Sequence, residues 1–401
     1  MQYNFDEIIS RQHSNSVNYE GWRPYIFRNN PGIEFPFPDD VFIRLWIADM
    51  DFASPSVVTD AIRERLDKKI LGYTSLFDPE YFTVLESWFL RRYNWRIDTQ
   101  QMVFAPGVVP ALIRLVALLT QPGENLLITT PSYAPFKMAG DLNSRETFYS
   151  PLLNNNEYYS MDLADIKAQL SDPSKNIRLF VLCNPHNPTG RVWTKEELQA
   201  IGDICLSKGV WIISDEIHCD LLRHGQAHVP LATLFPQSDR IVTCTAPTKT
   251  FNLAGVLHSH IFIPNEHVRN TWTQRYWEMQ NPLSIAATKA AYEKGEPWLE
   301  ALKTYLDDSL AFVDSILKEE LPLARFRVPE ATYLAWVDLS ACCTAIGPGE
   351  RLSNYFARKA GVLIEGGDMF VANGEGHIRI NVACPRAVLK EGMGRLAAAL
   401  S

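Results

Sequence analysis

The sequence predicts an α/β protein that is built on a mostly parallel sheet and followed by a smaller α+β domain. The middle of the 401-residue chain alternates short apolar runs with helical stretches. These runs are continuous rather than alternating, which is typical of strands buried on both faces of a parallel sheet. After about residue 281, a long helical stretch precedes alternating strands. We therefore place a large domain at residues 46–288 and a small domain at residues 1–45 and 289–401.

One βαβ unit is explicit in the sequence. The predicted helix Thr194–Lys208 opens with a capping box formed by Thr194 and Glu197, and Gly209 follows as a left-handed cap. It lies between two predicted strands, so the region is α/β. The predicted strands of the large sheet are Asn125–Thr129, Ile177–Cys183, Val210–Ser214, Ile241–Thr245 and His258–Pro264.

Further elements are predicted on either side of this region. A helix opens at Ser54-Pro55 and runs to about Lys69, with proline in its first turn, and another covers Gly107–Leu119. In the small domain, the helical stretch Pro297–Glu320 precedes strands such as Tyr333–Leu339 and His377–Val382.

Composition narrows the classes of function. The net charge of −8 argues against nonspecific nucleic-acid binding, which needs a basic surface. The first residues carry no signal-peptide pattern, and no apolar run reaches the roughly 20 residues of a membrane span, so we expect a cytoplasmic protein. The seven cysteines are an odd number without a C-x-x-C motif and are expected to be buried free thiols. The absence of G-x-G-x-x-G argues against a nicotinamide dehydrogenase.

Polar motifs follow three of the predicted strands. The heptad 184–190 (NPHNPTG) comes directly after one strand, and its proline steps force turn geometry. Asp215 ends the next strand; a carboxylate there is costly unless it meets a cation or proton donor, and a helix N-cap is an equally open alternative. Lys249 follows a third strand, flanked by hydroxyls and an aromatic side chain. Lysines held in such sites form Schiff bases with pyridoxal 5′-phosphate (PLP), although most lysines are solvated surface residues.

The set Asn187, Asp215 and Lys249, in this order and spacing, resembles the fold-type I PLP enzymes, the aspartate aminotransferase superfamily. Further strings narrow the resemblance to the MalY/PatB-type cystathionine β-lyases (C–S lyases), and they run from residue 4 to about 390. The strings are NFDEII at 4–9, LWIADMDF at 45–52, GYT at 72–74, PGVVPA at 106–111, DEIH at 215–218, KTFNLAG at 249–255, ATYLAW at 331–336 and RINVACPR at 379–386.

The resemblance implies a role for each residue around the PLP ring. Lys249 would hold the cofactor as a Schiff base and later act as the base at the substrate Cα. Asp215 would pair with the pyridine nitrogen, and Asn187 would hydrogen-bond the phenolate oxygen. Tyr133 would stack on the ring face, with core packing as the alternative. His218 belongs to the same cofactor site, although the wider superfamily has a tyrosine at its position.

The resemblance also implies where the phosphate and the partner subunit lie. The phosphate is expected at the start of the helix that begins with Val108 and Val109, where free N–H groups favour an anion. Thr248 would add a hydroxyl. Tyr73 matches the tyrosine that reaches the phosphate of the neighbouring subunit, so it is counted with Lys249 among the catalytic residues. A homodimer with shared active sites follows.

Arg379 is the expected ligand of the substrate α-carboxylate, because its planar fork fits a carboxylate and its burial needs a partner. An ordinary structural salt bridge is the alternative. Ala48 and Asn187 are the other expected substrate contacts. Two segments, 255–260 and 365–370, depart from the usual C–S lyase sequence, and substrate preference is altered if they border the active site. The first contains Leu257, where the wider superfamily has a phosphate-binding arginine.

The resemblance implies β-elimination on a cysteine S-conjugate, with L-cystathionine as the default substrate and a thiol, pyruvate and ammonia as products. Homocysteine would be the thiol, which indicates methionine synthesis. A class I/II aminotransferase is the alternative, and the site residues do not separate the two because both reactions share every step up to proton removal. A PLP-dependent transcription regulator is not expected, because the motifs begin by residue 4 and the charge is acidic. No metal is expected.

Overall fold

The computed structural model describes residues 3–28, 30, 32–277, 279–343, 346–347 and 349–400, so Met1 and Gln2 of the N-terminal segment lie outside it. Its strands are β1 (Ile43–Arg44), β2 (Met102–Ala105), β3 (Asn125–Thr130), β4 (Thr147–Pro151), β5 (Leu153–Asn155), β6 (Tyr158–Ser160), β7 (Ile177–Cys183), β8 (Trp211–Asp215), β9 (Ile241–Thr245), β10 (Ser259–Phe262), β11 (Arg325–Phe326), β12 (Leu334–Asp338), β13 (Val362–Leu363), β14 (Glu365–Gly366) and β15 (His377–Asn381).

Its helices are α1 (Val17–Glu20), α2 (Trp22–Ile26), α3 (Ser56–Asp67), α4 (Pro79–Tyr93), α5 (Val108–Leu119), α6 (Ala134–Leu142), α7 (Leu163–Ser171), α8 (Lys195–Ser207), α9 (Leu231–Leu234), α10 (Pro247–Thr250), α11 (Glu266–Arg275), α12 (Pro282–Lys294), α13 (Glu296–Glu320), α14 (Leu352–Ala360) and α15 (Arg386–Leu400). Short 3-10 turns lie at Asp39–Val41, Thr99–Gln101, Ala254–Val256 and Gly367–Met369. None of the helices within the described part of the chain is both long and apolar enough to cross a membrane.

The large sheet has the strand order β2-β10-β9-β8-β7-β3-β4. Strands β9, β8, β7, β3 and β4 are parallel, and β10 runs antiparallel to both β9 and β2. The predicted α/β class with a mostly parallel sheet is therefore confirmed. The five strands predicted from apolar runs lie within two residues of their predicted ends. The reversed direction of β10 was not predicted, because an apolar run carries no information on strand direction.

Burial on both faces explains why the strands read as continuous apolar runs. Ile213 and Ile128 pack into the core under α5, whereas their chain neighbours Ile212 and Leu127 pack into the core on the opposite face, with α8. Successive side chains of a strand point to opposite faces, so each position needs an apolar residue when both faces are covered.

The predicted helix between β7 and β8 is present as α8. The Thr194 hydroxyl accepts a hydrogen bond from the Glu197 N–H at 3.2 Å, and the Glu197 carboxylate accepts one from the Thr194 N–H at 2.8 Å. Gly209 adopts the left-handed conformation with φ +67°. By contrast, α3 begins later than predicted, at Ser56, and Pro55 precedes it as the cap.

A second, antiparallel sheet has the strand order β11-β12-β15-β14 and packs against α13 and α15. Strand β1 pairs in parallel with β13, with Ile43 opposite Val362. This pairing supports the assignment of the first 45 residues to the small domain, although the domain boundaries stay a prediction. All seven cysteines are free; five are buried as expected, but Cys342 and Cys343 are only half-buried because they lie in the loop after β12.

Candidate active site

The strand order brings the predicted site residues to one edge of the large sheet. Lys249, Asp215 and Asn187 follow or end β9, β8 and β7, and Tyr133 follows β3. These four strands are parallel neighbours, so their carboxyl ends meet at the same edge. Strand β2 has the same direction as β9, since both are antiparallel to β10. The start of α5 at Val108 therefore lies at this edge as well.

Lys249 lies in the short helix α10, and its Nζ donates to the Ala48 carbonyl at 2.5 Å. Desolvation lowers the pKa of Lys249 to about 8, and the positive charge of Arg379 acts in the same direction, whereas Asp49 and Asp215 oppose it. A lysine with such a pKa has a neutral fraction of about one tenth at pH 7, far more than an ordinary lysine, and only the neutral amine is a nucleophile or a base.

The chain around Ala48 is held in place by Asn252. The Asn252 side chain donates to the carbonyls of Met50 at 3.0 Å and Phe52 at 2.8 Å, and it accepts from the Met50 N–H at 3.1 Å. The Tyr333 hydroxyl donates to the Ala48 carbonyl at 2.9 Å. The segment predicted to contact substrate is thus fixed against the lysine by side chains that the sequence reasoning did not single out.

Asp215 is buried at the end of β8, where its carboxylate accepts a hydrogen bond from the Ile217 N–H at 3.2 Å. Among the described residues, no cation forms an ion pair with it. Desolvation therefore raises the pKa of Asp215 to about 7, helped by the neighbouring charge of Glu216. The N-cap alternative is not what the structure shows, since the next α-helix of the described chain begins only at Leu231.

Three buried polar atoms near this edge have no hydrogen-bond partner within the described part of the chain: Nδ1 of His218, Oγ1 of Thr245 and Oγ1 of Thr248. Burial lowers the pKa of His218 well below its ordinary value, and the charges of Lys249 and Arg379 add to this effect, so the imidazole is neutral. A buried polar atom without a partner costs about 1–3 kcal/mol. A polar ligand bound at this edge would supply partners for these three atoms.

The start of α5 offers a place for an anion. Gly107 caps the helix with φ +156°, a backbone region open almost only to glycine, and provides no side-chain cap. The N–H groups of the first turn, at Val108 and Val109, are therefore available to a ligand.

PLP fits this set of residues. Its pyridine nitrogen, when protonated, would give Asp215 a cation, and its phosphate is an anion that suits the first turn of α5. The Thr248 hydroxyl, which has no partner within the described chain, could bind it too. The lysine that would hold it lies at the same edge. The fit rests on unmet hydrogen-bonding and charge requirements of the protein itself.

Arg379, on β15, is almost fully buried, with 1% of its surface exposed. Its Nη1 donates to Asn187 Oδ1 at 3.0 Å, its Nη2 donates to the Trp46 carbonyl at 3.3 Å, and Nη2 also forms an ion pair with Glu365. The Phe370 ring lies 5.1 Å from the guanidinium carbon. The salt bridge considered as an alternative is therefore present, while Nε has no partner among the described residues.

Two of the predicted aromatic residues have different surroundings. Tyr133 is half-buried, and desolvation raises its pKa above the ordinary value. Tyr73 is not brought to this edge within one chain: its side chain is 96% exposed. Leu257, at the position of the missing arginine, is exposed too and adopts φ +55°.

The two unusual segments differ in what they contact. His258 and His260 lie inside the large domain, with their Nε2 atoms 2.8 and 2.7 Å from the Tyr81 hydroxyl. Glu365, in contrast, reaches Arg379. The sequence marked the second segment as unusual but did not predict this contact, because the contact depends on strand pairing. The available signal was the single carboxylate of Glu365 directly after an apolar strand.

Comparison with known proteins places these residues in context. The model of the family "Aminotransferase class I and II" matches residues 41–396. Cystathionine beta-lyase PatB of Bacillus subtilis is 39% identical over 364 residues, covering 90% of this chain and 92% of PatB, and protein MalY of Escherichia coli is 31% identical over 355 residues, covering 87% and 89%. The PLP-bound C–S lyase of Staphylococcus hominis superposes with a TM-score of 0.94 at 48% identity, over 100% of this chain and 98% of that one.

Proposed function

The chain belongs to the aminotransferase class I and II family, and from that premise we propose that it is a PLP-dependent C–S β-lyase. It converts L-cystathionine or a related cysteine S-conjugate, with water, into a thiol, pyruvate and ammonia. One observation carries the proposal: a lysine with a pKa of about 8 and a buried carboxylate without an ion pair among the described residues lie at one sheet edge, where Asn187 contacts a buried arginine. The chain that carries them matches C–S lyases along its length.

When bound, PLP accepts the electron pair left at the substrate Cα after proton removal, which allows a thiolate to leave from Cβ. Asp215 would hold a proton on the pyridine nitrogen, and Asn187 would donate to the phenolate oxygen. Thr248 and the first turn of α5 would bind the phosphate, and Tyr133 would cover the ring. Each of these assignments uses a side chain or backbone N–H group at the carboxyl edge of the large sheet.

The protein's own residues orient the substrate and move the proton. Arg379 would bind the α-carboxylate, and Ala48 lies against the lysine to limit the space at Cα. Lys249 would then take the Cα proton, and its lowered pKa keeps a large neutral fraction available near pH 8. Because thiolates leave far more readily than hydroxide, elimination competes well with return of the proton.

The exposed apolar surface around Tyr73 supports a homodimer. Ile70, Leu71, Phe77 and Trp277 are each more than half exposed. The Thr74 carbonyl accepts from the Gln280 N–H at 2.8 Å, which joins the two chain segments that carry these residues. A clustered apolar surface of this kind is typical of an interface. The proposed occupant is a second copy of the chain, into whose active site Tyr73 would reach.

The dimer proposal is tested by mixing two inactive proteins. A Lys249→Ala subunit and a Tyr73→Phe subunit should together form a hybrid in which one of the two sites is intact, so that activity reappears. A fully active monomer in sedimentation velocity would contradict the proposal. The cytoplasm is the proposed location; the thiols of all seven cysteines are free, as a reducing compartment would keep them.

The reaction type is tested by incubating the purified holoenzyme with L-cystathionine, with and without a keto acid. We expect pyruvate and free thiol in equal amounts without the keto acid, and slow transamination of ordinary amino acids. Turnover that requires a keto acid and releases no thiol would make the enzyme an aminotransferase.

A further inference from the structure

Glu365 and Arg379 form a buried pair across two strands. They lie directly opposite each other in the antiparallel pairing of β14 with β15, and their side chains form an ion pair. Glu365 is 5% exposed and Arg379 is 1% exposed. Because the pairing register places them opposite each other, the carboxylate is built into the sheet beside the arginine rather than carried on a mobile loop.

The ion pair occupies the donor that a substrate carboxylate needs. In a guanidinium, Nε–H and one Nη2–H point the same way and form the side-on fork that binds a carboxylate with two hydrogen bonds. In Arg379, Nε has no partner among the described residues, whereas Nη2 is held by Glu365 and the Trp46 carbonyl. Nη1 is held by Asn187. A carboxylate that uses the free Nε must therefore share Nη2 with Glu365.

The charges around Glu365 decide what happens when a second carboxylate arrives. Burial raises the pKa of Glu365, while Arg379, Lys249 and Arg28 lower it. Desolvation raises the pKa of Tyr25 and Tyr133, and the charge of Glu365 raises both further. Burial of Glu365 outweighs these three cations, and a second carboxylate on the same guanidinium raises the pKa of Glu365 further, because like charges in a site of low polarity repel strongly.

We propose that Glu365 is a positioning residue that holds Arg379 in the free enzyme and takes up one proton when the substrate α-carboxylate binds. The proton places an O–H donor beside the incoming carboxylate, so that Glu365 changes from a competitor into a hydrogen-bond partner. This inference rests on the proposed role of Arg379, and it makes substrate affinity depend on pH.

The test uses binding rather than turnover. The probe is 3-(methylthio)propionate, which keeps the carboxylate and the thioether of a cysteine S-conjugate but has no amine to react. Its affinity for the holoenzyme is measured by isothermal titration calorimetry between pH 7 and 9, in two buffers with different ionisation enthalpies, so that the number of protons taken up is obtained directly. The proteins are the wild type, Glu365→Gln and Glu157→Gln. Glu157 is a matched control because it is also buried in an ion pair, with His377, while its other contacts, Asn154 and Tyr159, do not involve Arg379.

We expect the wild type and Glu157→Gln to take up about one proton more than Glu365→Gln, and their Kd to rise about tenfold more per pH unit at the alkaline end. The difference between proteins separates Glu365 from the titration of Lys249. Equal proton uptake in the wild type and Glu365→Gln would overturn the proposal, as would wild-type binding without uptake or no binding at all. These outcomes differ from failure of the lyase reaction, which would appear in the thiol and pyruvate assay.

Discussion

Asp215 and Asp220 lie five residues apart, both buried, yet their surroundings are opposite. The Asp220 carboxylate accepts from the Tyr93 hydroxyl, accepts from the Thr250 hydroxyl at 2.8 Å and lies 3.0 Å from Nε of Arg92. Asp215 has a backbone N–H and no ion pair within the described residues, and its pKa rises to about 7. The Asp220 carboxylate is bound by side chains of the protein, whereas the Asp215 carboxylate has no cationic partner among the described residues. We expect the bound cofactor to provide that partner.

The same difference, between polar groups with and without partners in the described chain, distinguishes larger regions of the molecule. In the region around Asp220, polar side chains bind one another. Glu157, Asp338 and His377 offer ligand atoms within 4.8 Å of one another, as a metal site would, but Glu157 is paired with His377, and Asp338 accepts from the Ser340 N–H. At the carboxyl edge of the large sheet, Nδ1 of His218 and Oγ1 of Thr245 and Thr248 have no hydrogen-bond partner among the residues that the structure describes. The polar groups that bind one another are therefore distinct from those of the proposed cofactor site.

The largest effect is expected for Lys249→Ala. Removal of the amine eliminates both the covalent attachment of the cofactor and the base at Cα, so kcat should fall by at least about 1,000-fold. Lys289→Ala is the matched control, because that lysine forms surface ion pairs with Asp78 and Glu80. Near-normal turnover of Lys249→Ala would show that the proposed site at the sheet edge does not carry out the reaction.

The variants Asp215→Asn and Asp220→Asn test the difference between the two buried carboxylates. A carboxyl whose folded pKa rises from 3.8 to about 7 loses stability as pH rises through that window, and the cost to the apoprotein reaches roughly 4 kcal/mol above pH 7. Asp215→Asn should therefore stabilise the apoprotein at pH 8 while lowering holoenzyme turnover about 100-fold. Asp220→Asn should destabilise it by about 3 kcal/mol. Urea unfolding at pH 8 measures both; equal destabilisation would erase the distinction.

A smaller effect is expected for Arg379→Lys. A lysine ammonium is a point charge and does not reproduce the planar fork, so KM for cystathionine should rise and kcat should fall, with kcat/KM about 10–100-fold lower. Steady-state kinetics with thiol detection measures this. If only stability changed and kinetics did not, Arg379 would belong with the structural ion pairs.

The smallest effect on stability is expected for His377, which is paired with Glu157. Burial tends to lower the pKa of His377, but the carboxylate of Glu157 and the Glu375 carbonyl outweigh it, so the folded pKa is raised. The resulting stability is fully present below the unfolded value near 6.5 and is lost as pH rises through the folded pKa. His377→Gln should therefore reduce stability by about 1 kcal/mol at pH 6 and by less at pH 9. An equal loss at both pH values would show that the imidazolium is not the source.

The sequence predicted most of the large sheet, and several of the proposed site residues lie together at its edge, for identifiable reasons. Apolar runs marked the strands because both sheet faces are covered, and the capping box of Thr194 and Glu197 marked α8. The resemblance supplied the roles proposed for the residues at the sheet edge. The sequence did not predict contacts between distant segments. One is the set of hydrogen bonds from Asn252 to residues 50–52. The other is the pairing of Glu365 opposite Arg379, which only the strand register determines.

We propose that the unpartnered polar groups at the sheet edge form the PLP site and that Lys249 is the covalent attachment point. Borohydride reduction tests this most directly. The yellow holoenzyme is reduced, digested and mapped by mass spectrometry. The account predicts that the reduced cofactor is attached to the peptide containing Lys249, and that Lys249→Ala carries no label. Label on any other lysine of the wild type would contradict it.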